Sequence, residues 1–457
     1  MTAPSDAATL REAIDDYHAL LSNDIAGESQ ARLDAQLRER GLFFGDRPLC
    51  TVLRPRFFTP GQHRGIRRRI APLLAAFRRA HDAAIATSAV LDQFRLADWE
   101  RDLVHWKSGF RDPSPISRLD AFYTPDDEEL WFTEYNAEVP AGAAYGDVLA
   151  EVFHSLPIMR EFVHRWHVHS LPARPHTLHA LIDAWQQFSG SRVAPRIAIL
   201  DWREVPTQSE FRLFQRYFAE HGVESVIVDP AEVDYDGERL SASDGPIDLV
   251  YKRVLTTELV ERGGIDHPVL RAVKDGAVCM VNPPACKILH KKASLAVLHD
   301  ERNASLFDAE ERQAIFEHVP WTRVVEERRT THRGRDIDLV EFIRAERERL
   351  VLKPNDDYGG KGIVLGWETD AAAWDRAVAL ALAEPYIVQE RVRLPFEAYP
   401  SLVDGNVHVV DRMVDTAPYV AYGAFTEGYL SRLSTASLLN VTAGGGSQTP
   451  TFIVEKR

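Results

Sequence analysis

Cysteine is scarce in this chain: Cys50, Cys279 and Cys286 are the only three among 457 residues. Their spacing makes neither a disulfide framework nor a CxxC metal site. Long apolar runs are missing too. None approaches the ~20 residues that a membrane-spanning helix needs, and the N-terminal MTAPSDAATLREAIDDYHALL lacks the basic-then-apolar pattern of a secretion signal. Positive charge is in deficit, with 54 Lys and Arg against 68 Asp and Glu, a formal net charge of −14. That excludes the dense cationic surface of nonspecific nucleic-acid binding. GxxxxGK[ST] is absent, so there is no P-loop. No HExxH or other ligand spacing occurs among the histidines, His299, His318 and His332 included. Ser434 and Ser437 lie in LSRLSTASL, which lacks GxSxG. The expectation is a soluble, cytoplasmic protein with small-molecule partners, without nucleic acid or membrane. Its oligomeric state is open, a homo-oligomer included.

What is there supports a full core. Hydrophobic residues make up 45% of a chain long enough for two or three domains or one composite enzyme. Residues 5–40 have helical spacing, enough for one or two amphipathic helices. LCTVLRPRFF at 49–58 reads as a strand leading to a turn at Thr59-Pro60-Gly61. A basic helix follows with Arg64, Arg67, Arg68, Arg69, Arg78 and Arg79, either a solvated face or an anion-binding wall of a cleft. Residues 118–123 and 130–136 pattern as a hairpin around an acidic turn. A stretch rich in Pro, Arg and His at 168–176 reads as a linker. Apolar runs at 196–201, 224–229, 247–251 and 278–282, with a helix at 209–220, predict a small doubly wound parallel sheet over about 190–285. The chain then reads as helical from 300. Next come a strand at 350–353, a glycine loop, a strand at 362–365, a helix at 370–382 and a strand at 386–389. Further strands follow at 398–404 and 407–414, with a glycine run at 444–446.

Two distant segments carry chemistry. In the first, Asp120, Glu134 and Asn136 are hard oxygen donors. Glu134 and Asn136 are two apart on a strand and share a face, and Asp120 on the paired strand can meet them there. Such a set suits Mg²⁺ facing a triphosphate, and Arg118, two residues before Asp120, can hold a phosphoryl oxygen. In the second, Lys353 ends the apolar run 350–352, and Tyr358-Gly359-Gly360-Lys361-Gly362 lies between two strands. A glycine hairpin lets backbone N–H groups approach phosphates without a Cβ in the way. The strand 387–392, IVQERV, offers backbone groups to an adenine edge, and Glu390 a carboxylate to a ribose hydroxyl or to the amino group.

This set, in this order, resembles the circularly permuted ATP-grasp proteins, most of all the glutathionylspermidine synthase-like branch. The carriers are RLD at 118–120, EYNAE at 134–138, VYKR at 250–253, NPPACKILHKKASL at 282–295, VLKP, YGGKG, VQERV at 388–392 and NVTAG at 440–444. The resemblance spans roughly residues 50–457. It implies an α+β and α/β fold: a circularly permuted ATP-grasp with an inserted, small doubly wound subdomain. The segments would be 1–48 helical, 49–180 with the metal hairpin, 181–300 on the substrate side and 301–457 for nucleotide. It implies Mg²⁺ on Asp120, Glu134 and Asn136, and ATP phosphates on Lys353 and on Gly359, Gly360, Lys361 and Gly362 together with Tyr358. It implies adenosine on Gln389 and Glu390, Lys292 facing nucleotide, and Arg118 and Lys353 serving catalysis; Arg432, in LSRLSTASL, is read from its own segment either as a catalytic group for the acyl or phosphoryl moiety or as a surface strand arginine. The N-terminal amidase domain of the bifunctional synthases has no counterpart before residue 50, so no hydrolytic activity is expected. The activity implied is ATP-dependent carboxylate–amine ligation through an acylphosphate. A phosphotransferase and a non-catalytic ATP-binding module on the same fold are the alternatives.

Overall fold

The hairpin at 118–138 forms, and strands far away in sequence complete its sheet. In the computed structural model, which describes residues 5–356, 359–435 and 446–457, strands Ile116–Thr124 and Glu129–Asn136 pair antiparallel. They lie at one side of a seven-stranded antiparallel sheet whose other strands run between Phe396 and Thr449. Strand Ala417–Ala421 bridges the two groups, with Tyr419 opposite Arg118. One face of this sheet presents Leu119, Tyr123, Leu130 and Phe132 to the long helix Pro60–Ala86, whose Ile66, Ile70, Leu73 and Phe77 share the same core.

That helix begins where a turn was expected. Thr59 Oγ1 accepts from Gln62 N at 3.1 Å and Gln62 Oε1 accepts from Thr59 N at 3.1 Å, a reciprocal cap, with Pro60 at the first position. The strand expected at 49–58 is confined to Arg56–Phe58, which pairs with Thr451–Lys456. The 168–176 segment is not a linker. Strand Trp166–Ser170 joins that same small sheet, and helix Arg174–Ser189 starts four residues later. The basic helix is a solvated, ion-paired face. Arg67 meets Glu427, Arg69 meets Glu128, Arg78 meets Asp112 and Arg79 meets Glu311.

The parallel sheet stands as read. Its order is Cys279–Val281, Leu249–Lys252, Ile197–Leu200, Ser225–Val228, all parallel, with helix Gln208–Glu220 as the first crossover. A second four-stranded sheet runs Thr322–Val324, Tyr386–Glu390, Leu350–Pro354, Val364–Leu365, all antiparallel. Leu350 and Leu352 pack beneath it against Trp374 and Val378 of helix Ala371–Ala383, which Asp370 caps. The hairpin Arg329–His332 with Arg335–Asp338 has no counterpart in the sequence reading. Among the described residues no helix is long and apolar enough to cross a membrane.

One buried ion pair fixes the 116–136 hairpin to the parallel sheet. Glu138, just past the hairpin, accepts from Lys252 Nζ at 2.8 Å, from Thr256 N at 2.7 Å and from Thr256 Oγ1 at 2.6 Å. Both charged side chains are 0% exposed. Removing one partner of such a pair strands the other charge and costs about 3–5 kcal/mol. Glu138→Ala is expected to lose stability on that scale, read as a lower urea midpoint by far-UV circular dichroism. An unchanged midpoint would show that the pair contributes nothing.

Candidate active site

The register of the hairpin has one irregularity. Asp120 opposes Glu134 and Ala121 opposes Phe132, so Thr133 is an extra residue. A bulge interrupts the alternation of side chains along a strand. Leu130, Phe132 and Tyr135 therefore all enter one core although 132 and 135 differ in parity. Glu134 and Asn136 turn to the other face, where Asp120 lies.

On that face the acids are held by cations from three segments. Arg118 donates to Asp120 at 2.6 and 3.0 Å and to the carbonyl of Ala141 at 2.8 Å. Arg432 donates to Asp120 at 2.7 Å and to Asp415 at 2.6 Å. Lys292 Nζ lies 2.9 Å from Glu134 Oε1. Burial opposes ionisation of Asp120, but Arg118 and Arg432 outweigh it and hold the carboxyl well below the usual range. Burial likewise opposes the charged form of Glu134, and Lys292 prevails, so its carboxyl is also depressed. Asp415 goes the other way: burial raises it despite Arg432.

The lysine sheet forms the opposite wall. Val351 and Lys353 point away from the Leu350–Leu352 core and into a cavity that Asp120, Glu134, Gln389 and Arg432 also line. Lys353 Nζ donates to Gln389 Oε1 at 2.7 Å and to the bulged residue's carbonyl, Thr133 O, at 3.3 Å. Gln389 Nε2 in turn donates to Thr322 Oγ1 at 3.0 Å. Burial pulls the Lys353 amine down to about 8, against the pull of Glu134. Gly359 and Gly360 close one side. The rest of the wall is apolar, with Ile363, Leu365, Trp367 and Leu394, a lining suited to an aromatic base. Arg391 stacks 4.3 Å from the Trp367 ring centroid.

The cavity thus gathers Asp120, Glu134, Lys353, Gly359, Gly360, Gln389, Glu390 and Arg432 from two distant stretches. Glu390 is held by His332 at 2.9 Å and Arg333 at 3.2 Å. Arg118, Asn136, Lys361 and Gly362 do not line the cavity, and Lys292 reaches it only through Glu134. The Asn136 Nδ2 atom is buried and has no hydrogen-bond partner among the described residues. Tyr358 and residues 440–444 lie outside the described residues. None of the six arginines of the basic helix lines the cavity. Asp415 and Trp367 were missed by sequence reasoning. Asp415 follows VVDRMV in a strand-rich stretch and carries no motif, and Trp367 follows the second short strand of the glycine hairpin.

This architecture is shared with a solved structure. A glutathione synthetase-like effector from Globodera pallida, in its apo form, superposes with a TM-score of 0.60 over 95% of this chain and 98% of that one, at 14% identity. The chain therefore has a glutathione synthetase-like fold. In sequence it is 28% identical over 214 residues to a putative glutamate–cysteine ligase from Frankia alni, which covers 44% of this chain and 23% of that protein. The chain thus matches about a quarter of that relative's length. No protein-family model matches it.

The Lys353 amine is expected to react with acetic anhydride with a pH midpoint near 8, followed by mass spectrometry, whereas exposed lysines respond only near 10 or above. Glu134→Gln removes the carboxylate that favours its charged form, so the midpoint is expected to fall. A Lys353 midpoint near 10 would contradict the buried environment.

Proposed function

We propose that the chain is an ATP-dependent carboxylate–amine ligase with a circularly permuted ATP-grasp arrangement. It would act on a peptide- or amino-acid-like substrate and release ADP and phosphate. The carrying observation is the single cavity between the lysine sheet and the acidic hairpin. It sets a lysine, a glycine loop and an apolar slot against two ionised carboxylates and Arg432. The Frankia relative, a putative glutamate–cysteine ligase, supports amino acids as the kind of carboxylate and amine to be joined. The chain would divide into four segments, 1–48, 49–180, 181–300 and 301–457.

In this reading the apolar slot takes adenine, Gln389 and Glu390 its polar edge and ribose, and Lys353 with the glycine loop, Tyr358 included, the phosphates. Lys361 and Lys292 add positive charge. The donor types suit a divalent ion: Asp120 and Glu134 are both kept ionised, the form that ligates, and Asn136, two residues beyond Glu134 on its strand, would add an amide oxygen. Mg²⁺ held by these three residues would neutralise phosphate charge. Arg118 keeps Asp120 in place, and Arg432 supplies a guanidinium at the cavity wall for the transferred phosphoryl group. A substrate carboxylate attacks the γ-phosphorus and ADP leaves. An amine then attacks the acyl carbon, phosphate leaves, and the amine's proton is lost.

Turnover with pooled amino acids, peptides and polyamines tests this. ADP and free phosphate are expected only when a carboxylate and an amine are both present. ADP without free phosphate would instead indicate a phosphotransferase, and AMP would refute the acylphosphate route. Glu134→Ala and Lys353→Ala are expected to stay folded and lose roughly 10²–10³ in turnover, the scale of a lost charge-stabilising donor. Near wild-type turnover in either variant would sink the assignment. Since Lys353 must be charged to hold phosphate and loses its proton at about 8 in the free protein, affinity for MgATP should fall as pH rises through that value. Binding should take up a proton above it, measured by calorimetry in buffers of different ionisation enthalpy. Lys353→Met should abolish the uptake.

A further inference from the structure

The segments that build the cavity meet a second time, in a charge cluster none of whose members lines the cavity and which is buried except at Asp356, whose side chain is 23% exposed. Asp356 stands between strand Leu350–Pro354 and the glycine loop, three residues before Gly359. Lys287 Nζ lies 2.9 and 2.8 Å from its two oxygens, and Lys291 Nζ lies 2.8 Å from one of them. Thr257 Oγ1 donates to it at 3.2 Å. The same two lysines reach Glu100, Lys287 at 3.3 Å and Lys291 at 2.8 Å. Lys287 also lies 3.3 Å from Glu138, the carboxylate already paired with Lys252. The side chains of Lys252, Lys287, Lys291, Glu100 and Glu138 are at most 4% exposed.

Three lysines face three carboxylates, so the cluster is neutral and presents no unmet charge to a ligand. Its content is connectivity. Asp356 belongs to the stem of the glycine loop, Glu138 to the exit of the acidic hairpin, and Lys287 touches both. Lys292, the residue after Lys291, holds Glu134 itself. Buried charges permit little drift, because each displacement leaves another charge uncompensated in a poorly screening interior. A glycine loop resists ordering, and fixing one of its ends in advance lowers the cost of closing it on a ligand.

We propose that Asp356, Lys287 and Lys291 are positioning residues. They set the stem of the glycine loop at a fixed distance from the hairpin that carries Asp120 and Glu134, and so tie loop order to the hairpin. The inference rests on the nucleotide reading of the cavity, and its test is arranged to separate the two. Asp356→Asn keeps the shape and removes the charge. Lys291→Met, which leaves Lys287 between all three carboxylates, serves if Asp356→Asn does not fold.

Amide exchange of the segment 359–365 is measured in the free protein and with MgADP, alongside calorimetric MgADP affinity. The folded variant is expected to exchange this segment at least tenfold faster in the free state and to bind MgADP about tenfold more weakly. Asp356→Glu is expected to recover part of both. A merely structural role would lower the unfolding midpoint and leave loop exchange and affinity at wild-type values, and that result overturns the proposal. If the wild type itself binds no MgADP, the nucleotide reading falls. The anchoring is then judged on exchange in the free protein alone, where unchanged rates overturn it and accelerated rates uphold it.

Discussion

One extra residue decides which way the acids of this protein point. Thr133 has no partner in the hairpin ladder, and the strand beyond it is turned over. Strict alternation would send Glu134 into the core beside Phe132 and leave Tyr135 facing the cavity. With the bulge, Tyr135 fills the core against Phe77 and Glu134 faces Asp120. The bulged residue also has a second role: its carbonyl accepts from Lys353. A local fault in one ladder is thus the point where the acidic hairpin touches the lysine sheet.

Two carboxylates facing one another in a half-buried setting would ordinarily share a proton, because the second charge repels the first. Here each has its own cations from elsewhere in the chain. Arg118 is local, Arg432 comes from strand Phe425–Ser434, two strands away in the same sheet, and Lys292 from the helical segment before the lysine sheet. The result is a cavity wall that is charged and nearly neutral overall. Lys353 sits opposite it with its proton only moderately held. Such an arrangement responds to an anion with little rearrangement of its own charges, which is the physical meaning of preorganisation.

The sequence was legible where periodicity and burial agree. The parallel sheet consists of short apolar runs, fully buried in three of its four strands, and each was found within two residues at its ends. The glycine hairpin and its lysine strand were found because a lysine closing an apolar run conflicts with a core. Strand Trp166–Ser170 was not found because only Trp166 is buried, so it carries no apolar alternation. The cap at Thr59 was written as T-x-x-Q but was outweighed by the turn-like Thr-Pro-Gly. The Glu138 cluster was the hardest to see. Lys252, Lys287 and Lys291 lie in segments singled out for their resemblance, yet nothing in a list of lysines says that they are buried. Asp415 reaches the cavity only because distant elements are brought together around it, and Trp367, just past the glycine hairpin, carries no motif of its own.

The long-range pairing of the hairpin also sets a schedule. Strand Ile116–Thr124 acquires its second neighbour only when residues 417–421 exist, about 300 positions later. At about 5–20 residues per second a ribosome needs roughly 15–60 s to supply them. Throughout that interval the nascent strand offers an open edge to any other chain with an unpaired strand of its own. Charged side chains disfavour pairing at an open edge, and Arg118 and Asp120 both lie on this strand. Asp120, which lends the cavity its charge, thus lies on a strand whose edge stays open for much of the time the chain is being made.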